Sequence, residues 1–242
     1  MVYEDGYFQK YFGINCEDGF IEGELGYDIS TIIFVNLRKD NLFPVHEKLS
    51  NYSEDDLFDM IEFLHDHASK GLTGHYHQWN NCGYHYEEFN DQEGQKHFRE
   101  TLNPILKEYL NGFEISDSGE LLRLSENGLT SLFDADIPSK DNENVKDKID
   151  SAILKFRRFK STLDDRKEAI RELADVLEFL RPEIKKHLNK KDENDIFNIA
   201  NNFGIRHHNK DQQNDYNKPI WYSWMFYYYL ATIHTVLRIS KK

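Results

Sequence analysis

Asn201-Asn202-Phe203-Gly204-Ile205-Arg206-His207-His208-Asn209 separates a short amphipathic segment from a long, aromatic-rich one. Glycine past a periodic run is a common helix stop. The stretch therefore reads as the connection between two helices, and it makes the C-terminal half a helical bundle. It also concentrates chemistry. Arginine is a permanent cation with a fork of donors suited to phosphate, and histidine titrates near neutral pH.

Working outward, Asp192 is placed as the cap of the preceding helix, which carries Ile196, Phe197, Ile199, Ala200 and Phe203. Thr162-x-x-Asp165 resembles a capping box, with Asp in place of Glu, and opens a helix with Leu163, Ile170, Leu173, Val176, Leu177 and Leu180 as its stripe. Pro182 is expected to kink that helix, because Ile184 and Leu188 continue the same face. Residues 145–160 form another amphipathic segment, with Ile149, Ala152, Ile153 and Phe156 on one face and Arg157 and Arg158 elsewhere. Downstream, Pro219 suits the first turn of a helix that is apolar nearly all round from Ile220 to Ile239. Ser223, Thr232, His234, Thr235 and Arg238 interrupt that run, so a central bundle helix explains it better than a membrane span.

Four helical segments with a basic junction between the third and fourth resemble the HEPN superfamily, helical domains of prokaryotic toxins and phage-defence proteins. The resemblance rests on residues 161–173, on Phe203-Gly204-Ile205-Arg206-His207 and on the aromatic last helix. It implies a homodimer formed through the bundle and metal-independent RNA cleavage, with Arg206 steadying the phosphate and His207 or His208 handling the proton. Asn202, Asn209, Lys210, Arg157 and Arg158 would then contact the substrate, and no cofactor is implied. The positions where the family places a spaced histidine hold Asp211, Gln212 and Gln213. An alternative is a binding module that has lost catalysis. A blander alternative leaves His207 and His208 capping the exposed carbonyls of the third helix.

The N-terminal half differs in charge. Residues 1–140 hold 10 Lys and Arg against 27 Asp and Glu, a balance of −17, whereas residues 141–242 hold 20 against 16, a balance of +4. A phosphate-bearing partner would meet the second part, and the acidic part would dock a protein. The polar run 135–144 contains Pro138 and coincides with the charge change, which places a boundary near residue 142. The fold expected is mainly α: an α+β domain at 1–142 with a small hairpin, then a bundle at 143–242.

Within the first domain, Thr31–Val35 suits a buried strand or a helix, Ser53-Glu54-Asp55-Asp56 opens a helix that Gly71 closes, and 91–110 is a helix kinked near Pro104. Asp117-Ser118-Gly119 between two short apolar runs signals a hairpin. The stretch 74–86 supplies His75, His77, Cys82 and His85, all zinc-ligand types. Their spacing matches no standard zinc signature, so the expectation is an aromatic loop with hydrogen-bonded histidines and no metal, with a structural or hydrolytic metal site as the weaker alternative. Two cysteines, Cys16 and Cys82, make no disulfide framework, and a cytoplasmic protein without membrane segments is expected.

Overall fold

The structure, a computed structural model, describes residues 6–16, 19–78, 82–124, 129–205 and 215–240. It is mainly helical, with three separate two-stranded sheets among the described residues. The chain divides into two compact units, Met1–Leu122 and Arg123–Lys242. The division precedes the charge change near residue 142 because Leu132, Phe133 and Ile137 already pack into the second unit's core.

In the first unit, α1 (Gln9–Phe12) leads into β1 (Ile14–Cys16) and β2 (Gly19–Ile21), an antiparallel pair with Ile14 opposite Ile21 and Cys16 opposite Gly19. Residues 31–35 lie in α2 (Ile29–Leu37), where the Asp28 carboxylate accepts from the Thr31 N–H. After α3 (Val45–Lys48), α4 (Glu54–Asp66) begins with a full capping box: Ser53 and Asp56 satisfy each other's backbone N–H groups. The Lys39 ammonium lies 2.8 Å from Asp56 and 2.9 Å from the buried Asp59. The hydrogen bond from Lys39, then those from Ser53, hold the Asp56 carboxyl down at about 2.

α4 stops at Asp66, and Gly71 sits instead in β3 (Lys70–His77). β3 pairs antiparallel with β4 (Gly83–Asn90), so the histidine-rich stretch forms the arms of a hairpin where a loop was expected. Gln9 of α1 grips the outer edge of β4: its amide nitrogen donates to the Tyr84 carbonyl at 3.0 Å and its amide oxygen accepts from the Tyr86 N–H at 2.6 Å. α5 (Asp91–Glu108) follows directly, capped by Asn90 and containing Pro104. Its Gly94 presses on Ser69, where an added Cβ would lie 2.4 Å from the Ser69 Cα. Lys10 bonds both Asp91 oxygens; burial alone would lower its pKa, yet Asp91 and Tyr11 push it up to about 12. β5 (Phe113–Ile115) and β6 (Leu121–Arg123) form the hairpin that the turn residues signalled. Phe8, Phe12, Ile33, Phe58, Met60, Phe63, Phe98 and Leu121 fill the core of this unit.

In the second unit, α6 (Thr130–Phe133) and a π turn at Asn142–Lys146 precede α7 (Asp147–Arg157). α8 (Leu163–Phe179) starts at the capping box of Thr162 and Asp165. Pro182 does not kink this helix. Leu180 ends it, and Pro182 occupies the first turn of α9 (Arg181–His187), where a missing N–H costs nothing; Leu188 is exposed. The cap of α10 (Lys190–Asn202) is Asn189, which accepts from the Lys191 and Asp192 N–H groups, while Asp192 sits in the first turn. Gly204, at φ 67, ends the helix in the left-handed region, and buried Ile205 donates back to the Ala200 carbonyl. α11 (Lys218–Ser240) is the bundle's central helix, with Met225, Phe226, Tyr229, Leu230 and Ile233 fully buried. Phe156 stacks on Phe226 with ring centroids 3.9 Å apart. Among the described residues no helix is long and apolar enough to cross a membrane.

Candidate metal centre

The register of β3 and β4 decides which side chains meet. An irregularity between Thr73 and Gly74 resets the pairing so that His75 faces His85, Tyr76 faces Tyr84 and His77 faces Gly83. Gly74 permits this close pairing, since a Cβ there would lie 1.9 Å from the His85 carbonyl oxygen. Residues two apart on a strand, and direct partners across a pair, share one face. His75, His77 and His85 therefore stand on the same side of the hairpin. Gly83, at φ 94, starts β4 and leaves Cys82 just ahead of it.

The fourth participant comes from the other hairpin. Cys16, the last residue of β1, places its Sγ 3.4 Å from Nδ1 of His77. The Cys82 Sγ lies 2.8 Å from Nε2 of His85 and 3.6 Å from the Asn15 carbonyl, which ties it to β1 as well. The donor atoms of Cys16, His77, Cys82 and His85 all lie within 4.8 Å of one another. A tetrahedral zinc ion with Zn–S near 2.3 Å and Zn–N near 2.0–2.1 Å needs its donors roughly 3.3–3.8 Å apart. The quartet stands within about 1 Å of that closure.

His85 is buried and the other three are half-buried. Burial first, then the nearby His77 and His75, lowers the His85 imidazole below its ordinary value. That favours the neutral ring a metal requires. His75 is not a member. Its Nδ1 turns to the Glu87 carboxylate at 3.2 Å and its side chain is 63% exposed. So three of the four residues weighed from the sequence converge, and Cys16 replaces His75. The missed signal was compositional: Cys16 is the only thiol in the chain besides Cys82.

The residues expected to act on RNA are placed differently. Arg206, His207, His208, Asn209 and Lys210 lie outside the described residues. Asn202 is exposed at the end of α10, and Arg158 is exposed at the end of α7. Arg157 is not available to a substrate in the way expected. It is 7% exposed, donates from Nε to the Arg123 carbonyl at 3.1 Å and lies over the Phe133 ring. A buried arginine already hydrogen-bonded to backbone braces the fold.

Compared with known proteins, the chain matches no family model, no curated protein and no solved structure.

Proposed function

We propose that the first unit is a zinc-binding module whose metal joins its two N-terminal hairpins. The observation that carries this is the convergence of Cys16, His77, Cys82 and His85, from three separated stretches of chain, to within 4.8 Å. Two thiolates and two imidazoles suit zinc better than magnesium or calcium, which take oxygen ligands. Four protein ligands fill a tetrahedral shell and leave no open position for a substrate, which is the pattern of a structural site. The metal's role is then to hold β1–β2 against β3–β4. Any catalysis by the chain belongs elsewhere.

The test is stoichiometry and ligand type. Full-length protein purified without chelator is expected to carry one zinc per chain, and to fall well below that in Cys16→Ser and His77→Ala. Replacement by Co2+ is expected to give the visible absorption of a tetrahedral ion, with a sulfur charge-transfer band that weakens in Cys16→Ser. Metal-free protein that fails to take up zinc would sink the proposal.

A second reading concerns the helical unit, and the way α10 ends favours it. Gly204 and buried Ile205 end α10, and Arg206-His207-His208 follow them in sequence. Among the described residues Phe203 stacks on Trp221, and Trp221 and Trp224 remain 40% and 42% exposed. Half-exposed rings suit unstacked RNA bases. On this reading the unit is a HEPN-like, metal-independent ribonuclease or toxin-type effector of bacterial phage defence, acting as a homodimer. The related alternative is an RNA-binding or dimerising module without cleavage, whose acidic first unit docks a protein partner. Purified protein should cleave RNA and lose that activity in Arg206→Ala. Binding that survives without cleavage selects the alternative, and neither binding nor cleavage ends the reading.

A further inference from the structure

The quartet uses both of the chain's thiols, and one of them lines a cleft. Cys16 and Cys82 are the only cysteines in the sequence, and their sulfur atoms lie within 4.8 Å of each other. They come from chain segments far apart in sequence, one ending β1 and the other preceding β4. Neither is sealed in the core; both are half-buried. Cys82 also lines a cleft of about 780 Å³ together with Ile14, Asn15, Gly83 and Tyr84. That volume is ample for a molecule the size of hydrogen peroxide beside Cys82.

We infer that the centre is also a peroxide-responsive switch, in which oxidation links Cys16 to Cys82 and discharges the metal. This rests on the zinc reading of the same four residues. The Cys82 thiolate, the one facing the cleft, attacks an oxygen of hydrogen peroxide, and hydroxide leaves to give a sulfenic acid. The Cys16 thiolate then attacks that sulfur, a second hydroxide leaves and the disulfide forms. Two thiolates have lost two electrons, and one peroxide has been reduced to two hydroxides, which become water on protonation. The metal keeps only the two neutral imidazoles of His77 and His85, too few ligands for tight binding. Disulfide formation closes the two sulfurs from within 4.8 Å to a bond of about 2.05 Å. Because the disulfide joins the same two segments that the metal joins, the hairpins stay together while the ion is released.

The experiment uses the zinc-loaded, full-length, reduced protein treated with hydrogen peroxide. Zinc release is followed with a chromogenic chelator, thiols by titration and the product by intact mass. Expected are the loss of one zinc and two thiols in step, and a single chain, not linked to a second copy, lighter by two hydrogens. Dithiothreitol with added zinc should restore the starting material. In Cys16→Ser the sulfenic acid has no partner thiol, so a dimedone adduct on Cys82 is expected. Loaded protein that retains its zinc, or whose thiols proceed to sulfinic acid without a disulfide, overturns this inference alone. Protein that holds no zinc before peroxide is added overturns the metal reading, and this one with it.

Discussion

Removing the metal should loosen the first unit selectively, beginning at β1–β2. That hairpin has three residue pairs, and none of its six residues is buried. A lone two-stranded hairpin is marginal in water, so the metal centre and the Cys82–Asn15 contact should add to the backbone bonds from Glu24 to Lys10 and from Leu25 to Tyr11 that tie the chain after β2 to α1. A ligand that binds only the folded form stabilises it by RT ln(1 + [L]/Kd), about 2.7 kcal/mol at a hundredfold excess over Kd. The first unit, Met1–Leu122, has an unfolding entropy of about 0.25 kcal/mol per kelvin at roughly 2.1 cal/mol/K per residue. Zinc at that excess should therefore raise its melting transition by about 10 °C over chelated protein. Differential scanning calorimetry reads the shift, and hydrogen exchange at the Asn15, Phe20 and Ile21 amides localises it. A melting curve indifferent to zinc would refute the reasoning. So would a zinc-induced shift of the same size in His77→Ala, since the ion would then be bound elsewhere.

The remaining expectations concern single side chains. His75→Ala should leave zinc stoichiometry unchanged by metal analysis, because His75 faces Glu87 rather than the quartet. Gly94→Ala should destabilise the first unit in chemical denaturation by about 1–3 kcal/mol, despite alanine's better helix propensity, because its Cβ would meet Ser69 backbone at 2.4 Å. In the second unit, Phe226→Ala removes the ring stacked on Phe156 at a fully buried site and should cost about 3–5 kcal/mol by the same measurement. Asp56 is held at about 2 against an ordinary 3.8, so its contribution is complete above about pH 4 and is lost as pH falls through about 2. Asp56→Asn should lower stability at neutral pH by about 1 kcal/mol and flatten the acid dependence within that window.

Local rules account for what was legible in the sequence. The capping pairs Ser53/Asp56 and Thr162/Asp165, the Asp117-Ser118-Gly119 hairpin and the Gly204 stop are decided by residues within one turn of each other. Helical periodicity likewise identified most of the stripe of α8, because Ile170, Leu173, Val176, Leu177 and Leu180 are all buried, whereas Leu163 in the first turn is exposed. Longer-range matters were hidden. Leu180 and Pro182 divide a continuous apolar stripe into two helices, which periodicity alone does not reveal. The metal centre was half visible. His77, Cys82 and His85 lie within nine residues of sequence, but Cys16 reaches them only through the packing of a separate hairpin. No spacing rule encodes that approach. His75 shares the face of the quartet's histidines but is largely exposed and turns to Glu87.

Gln9 has a consequence for how this protein behaves at high concentration. The outer rim of an edge strand such as β4 directs amides and carbonyls away from its partner, the kind of template onto which a strand from another molecule can zip. Along Tyr84–Tyr86 one side-chain amide occupies both positions, donating to one carbonyl and accepting from one N–H as a peptide unit of a neighbouring strand would. Gln9 is thus a one-residue counterfeit of a third strand, and it guards against intermolecular sheet growth beside the exposed rings of Tyr76 and Tyr84.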